Sequence, residues 1–403
     1  MKQLRHRSAR PWLNRTVLGI ALASLFSDWS HEIATAVLPA FLGSLGAGAA
    51  WLGIIEGVSD GLSSFAKLGS GFYADSLPRR KPIAFAGYLV TTVATASFGL
   101  ATAAWHVLIS RAAAWLGRGV RTPVRKALLA AAVDSSVYGR AFGFERAMDT
   151  LGAIVGPLTA LWLLAVLPRN YRAVFGVTLL PGLVAAGLIA FVVQEEPRAP
   201  VPHASFSERL RLLPAAYRRF LMAVGIFGMG AFAHTLLILL ATQRLTPSMG
   251  AAAAASAAVA LYVLHNVFYA GFSYLAGLLA DHFPKNVLLS GGYALAGLMA
   301  LGIVFLPAGI ASLALVFVLG GVQVAIEETL EDSFCAELAD PAQHGMAFGV
   351  LATVNGIGDF LSSAVVGLLW SALGPTVAFG YSALLFIIGA LFAARIHPPK
   401  RSS

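Results

Sequence analysis

Only one of the 403 residues is a cysteine, Cys335, and only 12% are charged, about half the share a soluble globular chain carries. A lone cysteine excludes an internal disulfide framework and any multi-cysteine metal site. So few charges cannot coat a water-facing surface. H-E-x-x-H and P-loop patterns are missing, so no metalloprotease or nucleotide-binding signature points to a membrane enzyme, and neither a metal nor a cofactor is expected. What the chain has in excess is apolar: 58% of residues are hydrophobic, with a mean hydropathy of +0.77. Twelve spans of about 20 residues would use about 240 of them, which predicts a polytopic membrane protein.

Apolar runs of spanning length fall at about 16–42, 50–73, 82–104, 106–132, 141–167 and 172–194, and again at 220–242, 251–280, 287–307, 311–336, 343–372 and 376–396. This predicts an all-α membrane protein of twelve transmembrane helices in two six-helix halves, 1–194 and 220–403. A polar, Pro-containing linker, 195–219, joins them. The run from Thr16 to Phe41 is too long for a signal peptide, so it is read as the first span.

The net charge of +9 does not require nucleic acid as a partner, because the basic residues sit between apolar runs, where they set membrane orientation. With the N-terminus inside, 21 Lys and Arg fall on the cytoplasmic side, including Lys2, Arg5, Arg7, Arg10, Arg15, Lys400 and Arg401. Only Arg169, Arg172 and Arg244 fall opposite. Both termini are therefore expected in the cytoplasm, with the chain in the inner (plasma) membrane.

Sliding the chain against itself by 206 residues aligns Gly71, Ala74, Asp75 and Pro78 with Gly277, Ala280, Asp281 and Pro284. The same offset aligns Asp134, Gly139, Ala141, Phe142, Gly143 and Gly152 with Asp340, Gly345, Ala347, Phe348, Gly349 and Gly358. An even number of spans separates the copies, so the repeat is parallel, about an axis along the membrane normal.

At these residues the chain resembles the major facilitator superfamily. Gly71-Phe-Tyr-Ala-Asp75-Ser-Leu-Pro78-Arg79-Arg80 is similar to the family's loop 2–3 signature, although Ser76 and Pro78 depart from it. Gly143, Gly152 and Gly156-Pro157 in span 5 resemble its antiporter motif, without the final glycine pair. Arg111 and Gly117 in span 4 match a third motif, with Trp115 in place of its middle glycine. The resemblance implies alternating access around a cavity that helix 1 lines, with Asp75 near His344 and Gly345 at the start of span 11.

Ionisable residues inside spans are costly and mark pathways or pairs. Span 1 carries Asp28, His31 and Glu32; span 2 carries Glu56, Asp60 and Lys67. Each carboxylate pair is four residues apart on one helix face, an arrangement suited to proton coupling or, alternatively, to static pairing with Lys67 or a span 4 arginine. Arg118 lies about 18 Å below His106 along the helix, too deep to snorkel, so it should face the cavity or a carboxylate. Arg111, His234, His265, Asn266 and Gln323 complete the candidate cavity set.

The 206-residue offset also places Arg121, Arg125 and Lys126 on Glu327, Glu331 and Asp332. Equivalent positions thus carry opposite charge, which predicts a cytoplasmic gate, joined by Asp75, Arg79 and Arg80, with pairing within each half as the alternative. The sequence reading is a secondary transporter without enzymatic activity, expected to act as a monomer on a small molecule, with protons and the lipid bilayer as its other partners. Export of a drug or metabolite by proton antiport comes first. Uptake of an organic anion by proton symport, or a membrane sensor without transport, are the alternatives.

Overall fold

The computed structural model describes residues 11–47, 49–167, 170–198 and 205–396. The basic residues Lys2, Arg5, Arg7, Arg10, Arg169, Lys400 and Arg401, and linker residues 199–204, lie outside this set. The first six long helices are α1 (Arg15–Ser44), α2 (Ala49–Asp75), α3 (Lys81–Ala96, prolonged by a 3-10 turn), α4 (Ala104–Ala131), α5 (Tyr138–Val166) and α6 (Tyr171–Val192). After the linker come α7 (Ala215–Gly228, then His234–Met249), α8 (Ala251–His282), α9 (Lys285–Phe305), α10 (Ile310–Leu338), α11 (His344–Leu373) and α12 (Pro375–Ala394). The fold is the expected twelve-helix, two-half bundle. Eight of these stretches are long and apolar enough to cross a bilayer; α1, α2, α4 and α7 hold intramembrane charges or a break. Large apolar side chains face outward, with Phe191 86% and Leu100 81% exposed, a surface that suits lipid rather than water.

Two features depart from the sequence reading. Span 7 begins at Ala215, inside the segment read as linker, and its single expected run is broken at 229–233. The chain at the break packs closely on α12: a methyl group on Gly230 would meet Leu385 Cβ at 2.8 Å. The irregular backbone borders the central cavity, where exposed peptide groups can reach water. The linker is also more than a connector. Phe206–Leu212 forms a short helix with a Ser205/Glu208 capping box, and hydrogen bonds from the Ser205 backbone and hydroxyl hold the Glu208 carboxyl below its usual pKa range. Arg209 of this helix is buried against the Phe72 ring and donates to Phe72 O and Ser76 Oγ, which docks the helix on the end of α2.

Residues 206 apart meet one another, so the repeat axis runs between them. Phe142 and Phe348 have ring centroids 5.6 Å apart, and Lys126 Nζ lies 2.6 Å from Asp332 Oδ1. The apolar core has the same logic. One cluster joins both halves at the linker end, including Ala74, Phe142, Ala280 and Phe348. Away from the linker the main cores are separate: one around Ile33, Phe41 and Phe175 in the first half, the other around Leu245, Phe317 and Phe379 in the second. The halves are thus fused at the linker end and packed independently at the other.

Candidate functional site

Between the halves lies a cavity of about 670 Å³. Asp28, Arg118, His234, His265 and Gln323 border it. Arg118 Nη2 lies 3.2 Å from Asp28 Oδ1, so the deep arginine meets both the cavity and a carboxylate. Among the described residues, Glu32, Glu56, Asp60, Arg111 and Asn266 do not border it. Arg111 Nη2 donates to both Glu56 oxygens at 2.9 and 3.0 Å and its guanidinium stacks over Trp115 at 3.8 Å. Trp115 in turn donates to Asp60 Oδ1 at 2.6 Å. Glu56 therefore sits in the arrangement of the pairing alternative, inside the first half, whereas Asp60 is held by a neutral donor. Asn266 turns back to Tyr262 O, and His265 Nδ1 lies 3.2 Å from Phe317 O.

Gly143 of the antiporter-like motif packs on Ser273 O of α8, while Gly152 and Gly156 pack on α1 beside its acidic residues. A methyl group on Gly152 would lie 2.3 Å from Leu25 O and 3.1 Å from Asp28 Cβ, and one on Gly156 would lie 2.4 Å from Glu32 Cβ. Small residues let two helix backbones approach this closely, which here fixes where Asp28 and Glu32 sit. Gly380, by contrast, has open space around it. Gly380→Ala is therefore expected to raise the melting temperature in detergent, since alanine favours a helix interior by about 0.8–1 kcal/mol over glycine. Gly156→Ala should lower it, because overpacking costs about 1–3 kcal/mol. Two shifts of the same sign would rule out this packing.

The charged layer forms the cavity floor at the linker end. Lys126 reaches Asp332, and Arg146 on α5 spans to Glu328 at 2.7 Å and Asp332 at 3.4 Å while also touching Asp149. Arg125 pairs instead within its own half: Glu145 at 2.9 Å, Asp149 at 3.6 Å and Ser24 Oγ at 2.5 Å. Glu331 accepts from Tyr293 at 2.5 Å and Asn355 at 2.8 Å. The expected cross-pair of Arg125 with Glu331 is not formed, because Glu145 and Asp149 on the neighbouring α5 already surround the guanidinium. Arg121 stacks over Tyr88 at 4.1 Å and Glu327 accepts from Gln323 at 2.5 Å. Arg146 and Glu328 are members of this layer that the sequence reading left out.

Below the floor, two buried aspartates tie the halves together. Asp75 accepts from the backbone N–H of Gly345 (3.0 Å) and Met346 (2.8 Å) at the start of α11, and from Arg80 at 2.5 Å. Its repeat mate Asp281 accepts from Gly139 N at 2.8 Å, Arg140 N at 3.3 Å and Arg140 Nε at 2.6 Å at the start of α5. Each carboxylate faces the positive end of a helix from the opposite half. The His344 ring turns to Ala336 O, and Arg79 is exposed. Linker residues reinforce this closure: Glu195 accepts from Arg80 N and Lys81 N. Arg198 donates to Ala74 O in one half and Ala342 O in the other.

Two pseudo-symmetric six-helix halves, closed at one end over a charged central cavity, define a multi-pass membrane transporter. The Major Facilitator Superfamily sequence model matches residues 20–326 and again 222–403, and the chain belongs to that family. It is 27% identical over 379 residues to an uncharacterized MFS-type transporter of Methanocaldococcus jannaschii, covering 94% of each chain. It is 24% identical over 413 residues to a probable 4-methylmuconolactone transporter of Cupriavidus pinatubonensis, covering 98% of this chain and 93% of that one. A segment covering 28% of the chain is 28% identical to the multidrug resistance protein MdtH of Edwardsiella ictaluri, covering 29% of it. The human organic anion transporter MFSD10 shares the fold with a TM-score of 0.77 at 17% identity, over 94% and 99% of the two chains. FucP in its outward conformation does so with 0.74 at 18%, over 96% and 100%.

Proposed function

We propose that this chain is a proton-coupled exporter of a small organic molecule that works by alternating access. The linker end and both termini are then cytoplasmic, and the form described here faces outward, sealed by the Asp75 and Asp281 contacts and by the charged floor. One observation carries the proton coupling: the Asp28–Arg118 pair at the cavity wall. Protonation of Asp28 releases Arg118, whose side chain is the more exposed partner at the cavity wall, so the pair can open and re-form during a cycle. Export is supported by the antiporter-like glycines of α5 that seat Asp28 and Glu32, and by the multidrug resistance protein among the relatives. Proton symport of an organic anion is the second reading, favoured by the presence of Lys67 and Arg121 at the cavity wall with no carboxylate within 4.0 Å among the described residues.

The test uses proteoliposomes loaded with a pH-sensitive dye and an imposed pH gradient, challenged with ethidium and with benzoate. A compound that collapses the gradient in the wild type should fail to do so in Asp28→Asn, by tenfold or more, while its counterflow without a gradient stays within about threefold. Equal gradient collapse in the variant would sink Asp28 as the coupling residue. No proton movement with any compound, in protein that melts cooperatively, would sink coupling altogether.

A further inference from the structure

The cavity wall is polarised. Among the described residues that border it, every Lys and Arg comes from the first half, and the second half supplies five of the seven carboxylates. Much of this charge is engaged in the floor and in the Asp28–Arg118 pair. What remains is asymmetric. On the first-half wall, Lys67 and Arg121 have no carboxylate within 4.0 Å among the described residues, and Arg121 is buried with Nε and Nη1 unpartnered. On the second-half wall, among the described residues, Glu327 meets only the neutral Gln323, and Asp359 is exposed with no cation within 4.0 Å, the Lys67 ammonium acting on it from farther off. The rings of Phe227, Phe232, Tyr262 and Phe386 also line that side.

From this we infer that the transported molecule is a small zwitterion, an amino-carboxylate with its two charges apart, whose carboxylate lies toward Lys67 and Arg121 and whose ammonium lies toward Glu327 and Asp359. This substrate class rests on the transporter reading above. A simple anion would satisfy the basic wall and leave two carboxylates opposing it; a simple cation would do the reverse. Only a molecule carrying both signs matches both walls, and mismatched charge in a site of low dielectric is penalised strongly. A cavity of about 670 Å³ is of the size that encloses a small ligand, and the aromatic rings favour a cation on their own side.

The experiment uses the full chain in lipid nanodiscs. Binding is measured by thermal shift and calorimetry for the ω-amino acids from 4-aminobutanoate to 8-aminooctanoate. Each is compared with its N-acetyl derivative, which is only an anion, and its amide, which is only a cation. At least one zwitterion should bind ten times or more tighter than either of its derivatives. Glu327→Gln with Asp359→Asn should erase the preference over the N-acetyl form alone, and Lys67→Gln should erase the preference over the amide alone. A merely structural role would weaken all three ligands together. Tighter binding of a singly charged derivative, no binding by any member of the series, or uniform loss in the variants overturns the assignment. Flux is measured in parallel: gradient-driven movement of a singly charged derivative would leave the transporter reading standing while the zwitterion assignment fails. Zwitterion binding without flux under any gradient would do the opposite.

Discussion

Asp332→Asn is expected to drive the protein out of the form described here. The Asp332 carboxylate is 3% exposed and accepts from Lys126 and Arg146, both from the opposite half. Removing one member of a buried pair costs about 3–5 kcal/mol because the cation is left without its counter-charge. That cost falls only on the closed arrangement, since the pairs part when the floor opens. The balance between forms should move by two orders of magnitude or more, at about 1.4 kcal/mol per factor of ten. Spin labels at positions 79 and 342, on opposite halves at the linker end, report it as loss of the short-distance population. Arg125→Gln is the control. Its partners Ser24, Glu145 and Asp149 all belong to its own half, so it should lower the melting temperature and leave the label distance unchanged. If Arg125→Gln moves the distance as much as Asp332→Asn, the division between cross-half and local pairs is wrong.

Asp75→Ala should reduce transport by more than tenfold, and Asp281→Ala by less. Both aspartates cap a helix of the other half, but Asp75 holds two backbone N–H groups, Arg80 and Arg198, whereas Asp281 holds two backbone N–H groups and one arginine. Charged hydrogen bonds contribute about 1.5–3 kcal/mol each, so one more of them sets the order of the effects. Initial flux in proteoliposomes ranks the two. The sites lie at separate helix pairs, so the double variant should lose close to the sum of the two free-energy changes. Equal losses in the two single variants would mean that Arg198 adds nothing to the closure.

The architecture was readable because the duplication kept backbone-critical residues at one offset. Glycines at close helix crossings and aspartates at helix starts cannot drift without breaking packing, so Asp75 and Asp281 remain visible beside Gly345 and Gly139. Side-chain partners were less legible. The offset correctly brings Lys126 to Asp332, but it gives Arg125 a partner across the axis when a carboxylate one helix away is nearer. Offsets encode position along a span and say little about rotation around it. The break in α7 left little trace because hydropathy is even through that stretch; Gly228 and Gly230 were the only signal. Asp359 belongs to no repeat or motif, and its only mark in the sequence is a lone aspartate in an apolar run. Glu195, Arg198 and Arg209 looked like ordinary linker charges, since polarity and proline resemble a tether whether or not the segment docks.

The charge inversion between equivalent positions has a consequence for how the two halves could exist apart. Two copies of the first half, assembled about the same axis, would set Lys126 against Lys126; two copies of the second would set Asp332 against Asp332. Like charges facing each other in a buried layer forbid both homodimers, while a first half and a second half remain complementary. Expressed from separate genes, the halves would sort into mixed pairs alone. The inversion is thus a mark of divergence after duplication: once the sign had changed in one copy, the fused chain could no longer be replaced by a self-associating single half.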